Sequence, residues 1–229
     1  MLSRLFALAA ILFLAACSGQ PIVTETPEEY AGVQDGAFFI EPVDPSFLQG
    51  TQPRAEVDYP GPEAPGTIVI DTFARKLYHV QDGGRATRYA IAVGREGLTI
   101  RGSSTVSRKE HWPSWTPTRN MIRTQPETYA QYAGGLPGGL ENPLGARALY
   151  LYRGGRDTYF RIHGTVDNAS IGRATSAGCI RLFNQDAIHL FNQVDLGTLV
   201  RVRTAQESLE LEGPMMDDEH GRAIPALQG

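Results

Sequence analysis

A histidine and a cysteine stand close together in the second half of the chain, in an unusual setting. His163-Gly164-Thr165 is followed eleven residues later by Ser176-Ala177-Gly178-Cys179-Ile180-Arg181-Leu182. Acyl transfer through a thiol uses such a pair: the thiolate attacks, and a nearby imidazole takes its proton and later returns one to a leaving amine. Ala177 and Gly178 are small enough to let a carbonyl approach Cys179. Backbone N–H groups around Gly178 and Cys179 are candidates for an oxyanion hole. A buried structural cysteine with a surface histidine fits the same residue types, and the spacing alone leaves both readings open. A zinc site built on His163 and Cys179 lacks third and fourth ligands at finger-like or HExxH spacing. There is no Gly-rich phosphate loop either, so neither a metal nor a cofactor is expected.

Cys17, the only other cysteine, has a different setting. Arg4 precedes an apolar run from Leu5 to Ala16, which at roughly a dozen residues is too short for a stable membrane-spanning helix and reads as a secretory leader. The run ends Leu14-Ala15-Ala16-Cys17, the pattern of a bacterial lipoprotein processing site, so residues 1–16 are expected to be removed and Cys17 to be lipidated. Ser18 after the cysteine, by resemblance to Gram-negative lipoproteins, favours the outer membrane. Two cysteines in an exported chain can pair as a disulfide, but an anchored Cys17 leaves Cys179 as a lone thiol, and a lone thiol in an exported protein is a candidate reactive group.

Regular elements are needed to position these groups. Residues 17–65 are rich in Pro, Glu and Gly, with Pro21, Pro27, Pro42, Pro45, Pro53, Pro60, Pro62 and Pro65 and no sustained apolar period, and read as a tether; Ala37 to Ile40 and Phe47-Leu48 are candidates to dock. Thr67 to Asp71, Lys76 to Val80 and Thr87 to Val93 read as strands, the turn Asp82-Gly83-Gly84 separating the last two. Thr99 to Leu144 reads as a long irregular lid or binding loop with a short helix near Pro126 to Tyr132, in which His111, Trp112 and Trp115 are expected to line a cleft. Strands resume at Ala148 to Tyr152 and Tyr159 to His163. Asn184 caps a helix running to about Val194, Gly197 closes it, and Thr198 to Arg203 is the last strand. Residues 204–229 read as a weakly structured tail. The expected fold is mainly β, a sandwich or barrel-like domain over residues 66–203 with one or two short helices.

The sequence resembles the L,D-transpeptidase catalytic domain, often called YkuD-like. The resemblance is carried by His163-Gly164-Thr165, Ile171-Gly172, Ser176-Ala177-Gly178-Cys179-Ile180-Arg181 and Asn184-Gln185-Asp186. Upstream it extends through Val93-Gly94-Arg95, Trp112-Pro113-Ser114-Trp115-Thr116-Pro117 and Asn142-Pro143-Leu144-Gly145. It implies Cys179 as nucleophile, His163 as proton acceptor and donor, and the Gly164 carbonyl as the group that orients the imidazole, the part a carboxylate plays in other triads. Ser176, Gly178 and Arg181 are implied as substrate-binding positions, with Arg181 placed either to meet a substrate carboxylate or to make a structural ion pair. Two departures stand out. Ala177 replaces the Ser or His of many relatives beside the Gly-Cys pair, and Thr99-Ile100-Arg101-Gly102 replaces Thr-Pro-x-Gly.

The resemblance implies a peptidoglycan enzyme: Cys179 forms a thioester with a tetrapeptide stem, D-alanine leaves, and an acceptor amine takes the acyl group. Two alternatives keep the same residues. Water as acceptor makes a peptide hydrolase or a releaser of wall-attached protein, and a silent fold makes a wall-binding lipoprotein. The chain carries a formal charge of −4, which excludes the basic footprint of a nucleic-acid binder. The expected partners are peptidoglycan stem peptides and, through the lipid, a membrane on the periplasmic side; the oligomeric state is not legible.

Overall fold

The computed structural model describes residues 22–94, 97–175 and 179–226. Cys17, Ser176 and Gly178 therefore lie outside the described residues. Among the described residues eleven strands form one mixed sheet. In chain order its members are β3 (Ala55–Asp58), β4 (Ile68–Asp71), β5 (Lys76–Gln81), β6 (Arg85–Ala90), β7 (Ala92–Gly94), β8 (Ser103–His111), β9 (Arg147–Arg153), β10 (Arg156–His163), β11 (Ala174–Thr175), β12 (Ile180–Arg181) and β13 (Leu199–Val202). Two hairpins stand apart from it, β1 (Val33–Asp35) with β2 (Phe38–Ile40), and β14 (Met215–Asp217) with β15 (Ala223–Pro225). Across the sheet the order is β11-β7-β12-β10-β9-β8-β13-β4-β5-β6-β3.

One face of nearly every central strand points into a single core. Ile68 and Ile70, Leu149 and Leu151, and Val200 and Val202 alternate inward on β4, β9 and β13, as the two-residue period of a strand requires. They meet Leu190, Phe191 and Val194 from helix α3 (Asn184–Gln193) and the residue after it. A sheet this wide can bury one face in one cluster only by curling around it. The fold is mainly β, with three further short α-helices among the described residues: α1 (Arg119–Thr124), α2 (Pro126–Tyr129) and α4 (Ala205–Glu212).

Three expectations give way. The segment expected as a tether is laid onto the domain from Ile22 onward. Tyr30, Val43 and Leu48 are wholly buried there and pack with Ala90, Ala92 and Phe183 into a second cluster. Gln49 donates to and accepts from the backbone of Val23, and β3 pairs with the outer edge of β6. A few unevenly spaced anchors hold this arm, so no apolar period betrays it. The tail is likewise built. Thr204 and Glu207 form a reciprocal capping box at the start of α4, and Glu212 at its end accepts from Lys76, Tyr78 and Arg203 at 2.6–2.7 Å.

Finally, nine residues of the segment expected to be irregular form β8, paired on both sides. The loop proper runs from Trp112 to Ala146 and is closed at its neck by Trp112 N–H donating to Ala146 O at 2.8 Å. Asn142, 1% exposed, pins it internally: its Nδ2 donates to the carbonyls of Pro113, Leu136 and Pro137. Among the described residues no helix is long and apolar enough to cross a membrane.

Candidate active site

Strands β10 and β12 run parallel, with Ile162 opposite Ile180 and His163 opposite Arg181. This pairing puts the last residue of β10 beside the last residue of the two-residue strand β12, which Cys179 immediately precedes. Leu182 N–H donates to His163 O at 2.8 Å, and Gly94 N–H on the far side donates to Cys179 O at 3.1 Å. Backbone on both flanks thus fixes the two residues in one wall of a cleft of about 840 Å³. Gly97 presses close here, since a Cβ on it would lie 2.4 Å from Cys179 O.

His163 is 3% exposed, and its Nδ1 lies 2.6 Å from Gly164 O. A carbonyl only accepts, so Nδ1 carries the hydrogen and Nε2 keeps the lone pair. Burial pushes the imidazole down to about 4, against the Gly164 hydrogen bond; the charges of Arg181 and Arg161 push the same way as burial. At neutral pH the ring is therefore an uncharged base. Gly164 is itself held tightly: a Cβ on it would lie 2.1 Å from Asn184 Oδ1. That oxygen accepts from Ala146 N–H at 2.9 Å. Asn184 thus does not cap α3 as expected; Phe183 occupies the cap position and the Asn184 side chain braces the histidine turn.

The Cys179 Sγ lies 3.7 Å from Tyr159 O. Tyr159 was not singled out by the sequence. It sits where the β9–β10 register shifts, with φ at +63°, a conformation bulky side chains rarely adopt. Asp157 Oδ1 accepts Tyr159 N–H at 2.8 Å, and Arg161 grips the same carboxylate through two hydrogen bonds of 2.7 and 2.8 Å. A bulge of this kind leaves no trace in residue type. Its effect is to turn the Tyr159 ring, 78% exposed, into the cleft mouth.

Arg181 lines the cleft and faces Asp167 at 3.7 Å, while its guanidinium donates to Thr175 Oγ1. Burial draws its pKa down against the pull of Asp167. Trp115 also lines the cleft, with Tyr129 and Tyr132 edge-on to it at 6.1 and 5.9 Å. His111 and Trp112, expected beside it, point elsewhere: His111 packs edge-on to Phe191, and Trp112 stacks on Phe38. A smaller cavity of about 500 Å³ near Tyr59 and Tyr78 holds neither thiol nor imidazole, and its Arg203 is matched by Asp71 and Glu212.

Residues 65–202 match the family model described as the L,D-transpeptidase catalytic domain. Among individual proteins, the chain is 34% identical over 139 residues to the probable L,D-transpeptidase ErfK/SrfK of Escherichia coli, covering 60% of this chain and 43% of that one. It is 37% identical over 146 residues to the probable L,D-transpeptidase YcfS of the same organism, covering 62% and 45%. A crystal structure from Brucella melitensis, described as a probable carnitine operon oxidoreductase caia, shares 46% identity at a TM-score of 0.48, covering 66% of this chain and 93% of that one. The matched stretch thus accounts for under half the length of each Escherichia coli relative. With the model match spanning more than half of its residues, the chain belongs to the L,D-transpeptidase catalytic domain family.

Proposed function

We propose that the chain is a peptidoglycan L,D-transpeptidase acting through a Cys179 thioester. The observation that carries this reading is the 2.6 Å contact between His163 Nδ1 and Gly164 O, in the same cleft wall as Cys179. With Nδ1–H committed to the Gly164 carbonyl, Nε2 is the nitrogen that would accept the thiol proton. Cys179 Sγ attacks the carbonyl that joins the stem to its terminal D-alanine, and the S–H proton passes to Nε2. The C–N bond breaks, the imidazolium returns its proton to the departing amine, and D-alanine leaves with the acyl group held as a thioester. The side-chain amine of a neighbouring stem then attacks, its proton passes to Nε2, and the thiol is regenerated.

Arg181 suits a stem carboxylate, since its side chain lines the same cleft as Cys179 and His163. Ser176 and Gly178 complete the proposed site in sequence. Lipidation at Cys17 would hold the domain at the periplasmic face of the outer membrane.

The test incubates purified protein with disaccharide-tetrapeptides, with and without an added amine, and weighs the products. Loss of D-alanine with formation of an amine adduct, absent in Cys179→Ala and His163→Ala, is the expected result. Tripeptide alone, formed equally with and without the amine, would make water the acceptor. No product from folded protein would return the fold to a scaffold role.

A further inference from the structure

The amino-terminal arm reaches the turn that holds His163 from two sides. On one side Asp35, at the end of β1, accepts two hydrogen bonds from Arg147, at 2.6 and 2.8 Å. Arg147 is 4% exposed, opens β9, and accepts Gly164 N–H on its own carbonyl at 3.0 Å. The guanidinium holds the Asp35 carboxyl below the usual carboxylate range, so the tie is ionic at neutral pH. On the other side Tyr30 hydroxyl donates to Asp186 Oδ2 at 3.1 Å, and Arg54 Nη1 donates to Asp186 Oδ1 at 3.0 Å. Gln185 Nε2 donates to Glu41 O in the arm at 3.0 Å. Gln185 and Asp186 directly follow Asn184, the residue pressed against Gly164. The arm also closes on the neck of the cleft loop. Phe38 stacks on Trp112 with ring centroids 4.5 Å apart, and Trp112 takes a left-handed φ of +44° there.

We propose that the arm, residues 22–58, is a positioning device for the His163 imidazole, working through Asp35 on Arg147 and through Tyr30 and Arg54 on Asp186. The inference rests on the reading of His163 as the base. Elsewhere the arm is held by the pairing of β3 with β6, which lies away from the histidine turn, and by apolar anchors, Val43 and Leu48, which bury surface without fixing direction. Buried ion pairs add little net stability over packed apolar groups, because desolvation offsets their attraction, but they do fix geometry. The geometry fixed here is that of Gly164, whose N–H is tied to Arg147 and whose Cα face is pressed against Asn184. A carbonyl that drifts carries the imidazole with it, and a displacement of about 1 Å at a reacting group is enough to cost about a hundredfold in rate. Asp35, Tyr30 and Arg54 touch neither cleft nor thiol, so they are positioning residues.

The test is acylation of the full chain by a carbapenem, a strained acyl donor, followed by intact-protein mass over time and over carbapenem concentration. Wild type should take one adduct, absent in Cys179→Ala. Asp35→Asn keeps the shape and loses the charge; Tyr30→Phe keeps the packing and loses the hydroxyl. Each should lower the maximal labelling rate about tenfold while the half-saturating concentration stays within about twofold, and Asp35→Glu should recover most of the rate. A purely structural role would instead lower the fraction of protein that ever labels and leave the rate of that fraction unchanged. That result, or wild-type rates in both variants, overturns the inference. Folded wild type that takes no adduct overturns the reading of Cys179 and His163 on which it rests.

Discussion

The arm and the cleft loop look alike as sequences and behave oppositely as structures. Both are rich in Pro and Gly, both lack apolar periodicity, and both run for several tens of residues. The arm sinks Tyr30, Val43 and Leu48 completely, whereas α1 and α2 in the cleft loop bury nothing. Composition therefore does not separate a brace from a lid. What separates them is whether a few large side chains find a preformed surface. The arm finds one in Ala90, Ala92 and Phe183, and the loop turns Trp115, Tyr129 and Tyr132 toward the cleft.

The largest effect that would sharpen this contrast is on stability. Tyr30→Ala should cost about 3–5 kcal/mol, the range for truncating a buried aromatic, read as a drop in the urea midpoint at unchanged slope. Tyr132→Ala in the cleft loop should cost under about 1 kcal/mol by the same measurement. Equal losses would erase the distinction.

The next effect concerns the proposed base, His163, whose turn the arm reaches and whose ring lines the cleft. Burial holds His163 down to about 4, and the ring is competent only when neutral. The acylation rate should therefore persist as the pH falls from 7 to 5 and drop with an acid limb near 4. A limb near the ordinary imidazole value of about 6.5 would mean that His163 is solvated in solution and that the two regions do not close over it.

A smaller effect is expected from Trp115→Ala. It should weaken the apparent affinity for donor about tenfold, the scale of losing one aromatic contact, with the melting temperature nearly unchanged. A large fall in melting temperature would make the loop a core element after all. Smallest of all, Asp58→Ala breaks an exposed pair with Arg85 at the far end of the arm and should change neither stability nor labelling rate, since such pairs contribute little.

Most of the sheet was legible because strands such as β4, β5, β9 and β10 carry β-branched and aromatic residues at the right lengths. The helix after Cys179 was legible from its apolar spacing. Strand β8 was not. Its sequence, Ser103 to His111, buries only Ser104 and Val106, and pairing to β9 and β13 settles its conformation where propensity does not. Of the site, Cys179, His163 and Gly164 were named from residue type and family resemblance, and the described geometry sets the Gly164 carbonyl on the imidazole. Tyr159 was missed because a register shift depends on the partner strand. The tie between Asp35 and Arg147 was missed because it joins residues 112 positions apart. The tail's capping box was visible in Thr204 and Glu207 and was passed over.

The pairing of β3 with β6 has a further consequence for handling the protein. The family match begins at residue 65, so a fragment cut at that boundary would lose β3 and leave β6 as the sheet's new border. Strand β3 is a well-guarded border: Glu56 and Asp58 point outward, one accepting from Thr87 and the other from Arg85. Strand β6 is not, because Ala86, Thr87, Tyr89 and Ala90 are all buried. An open row of backbone donors and acceptors flanked by apolar side chains recruits other strands. The excised domain would then self-associate through that row, and the residues before the family boundary shield the sheet as well as shape it.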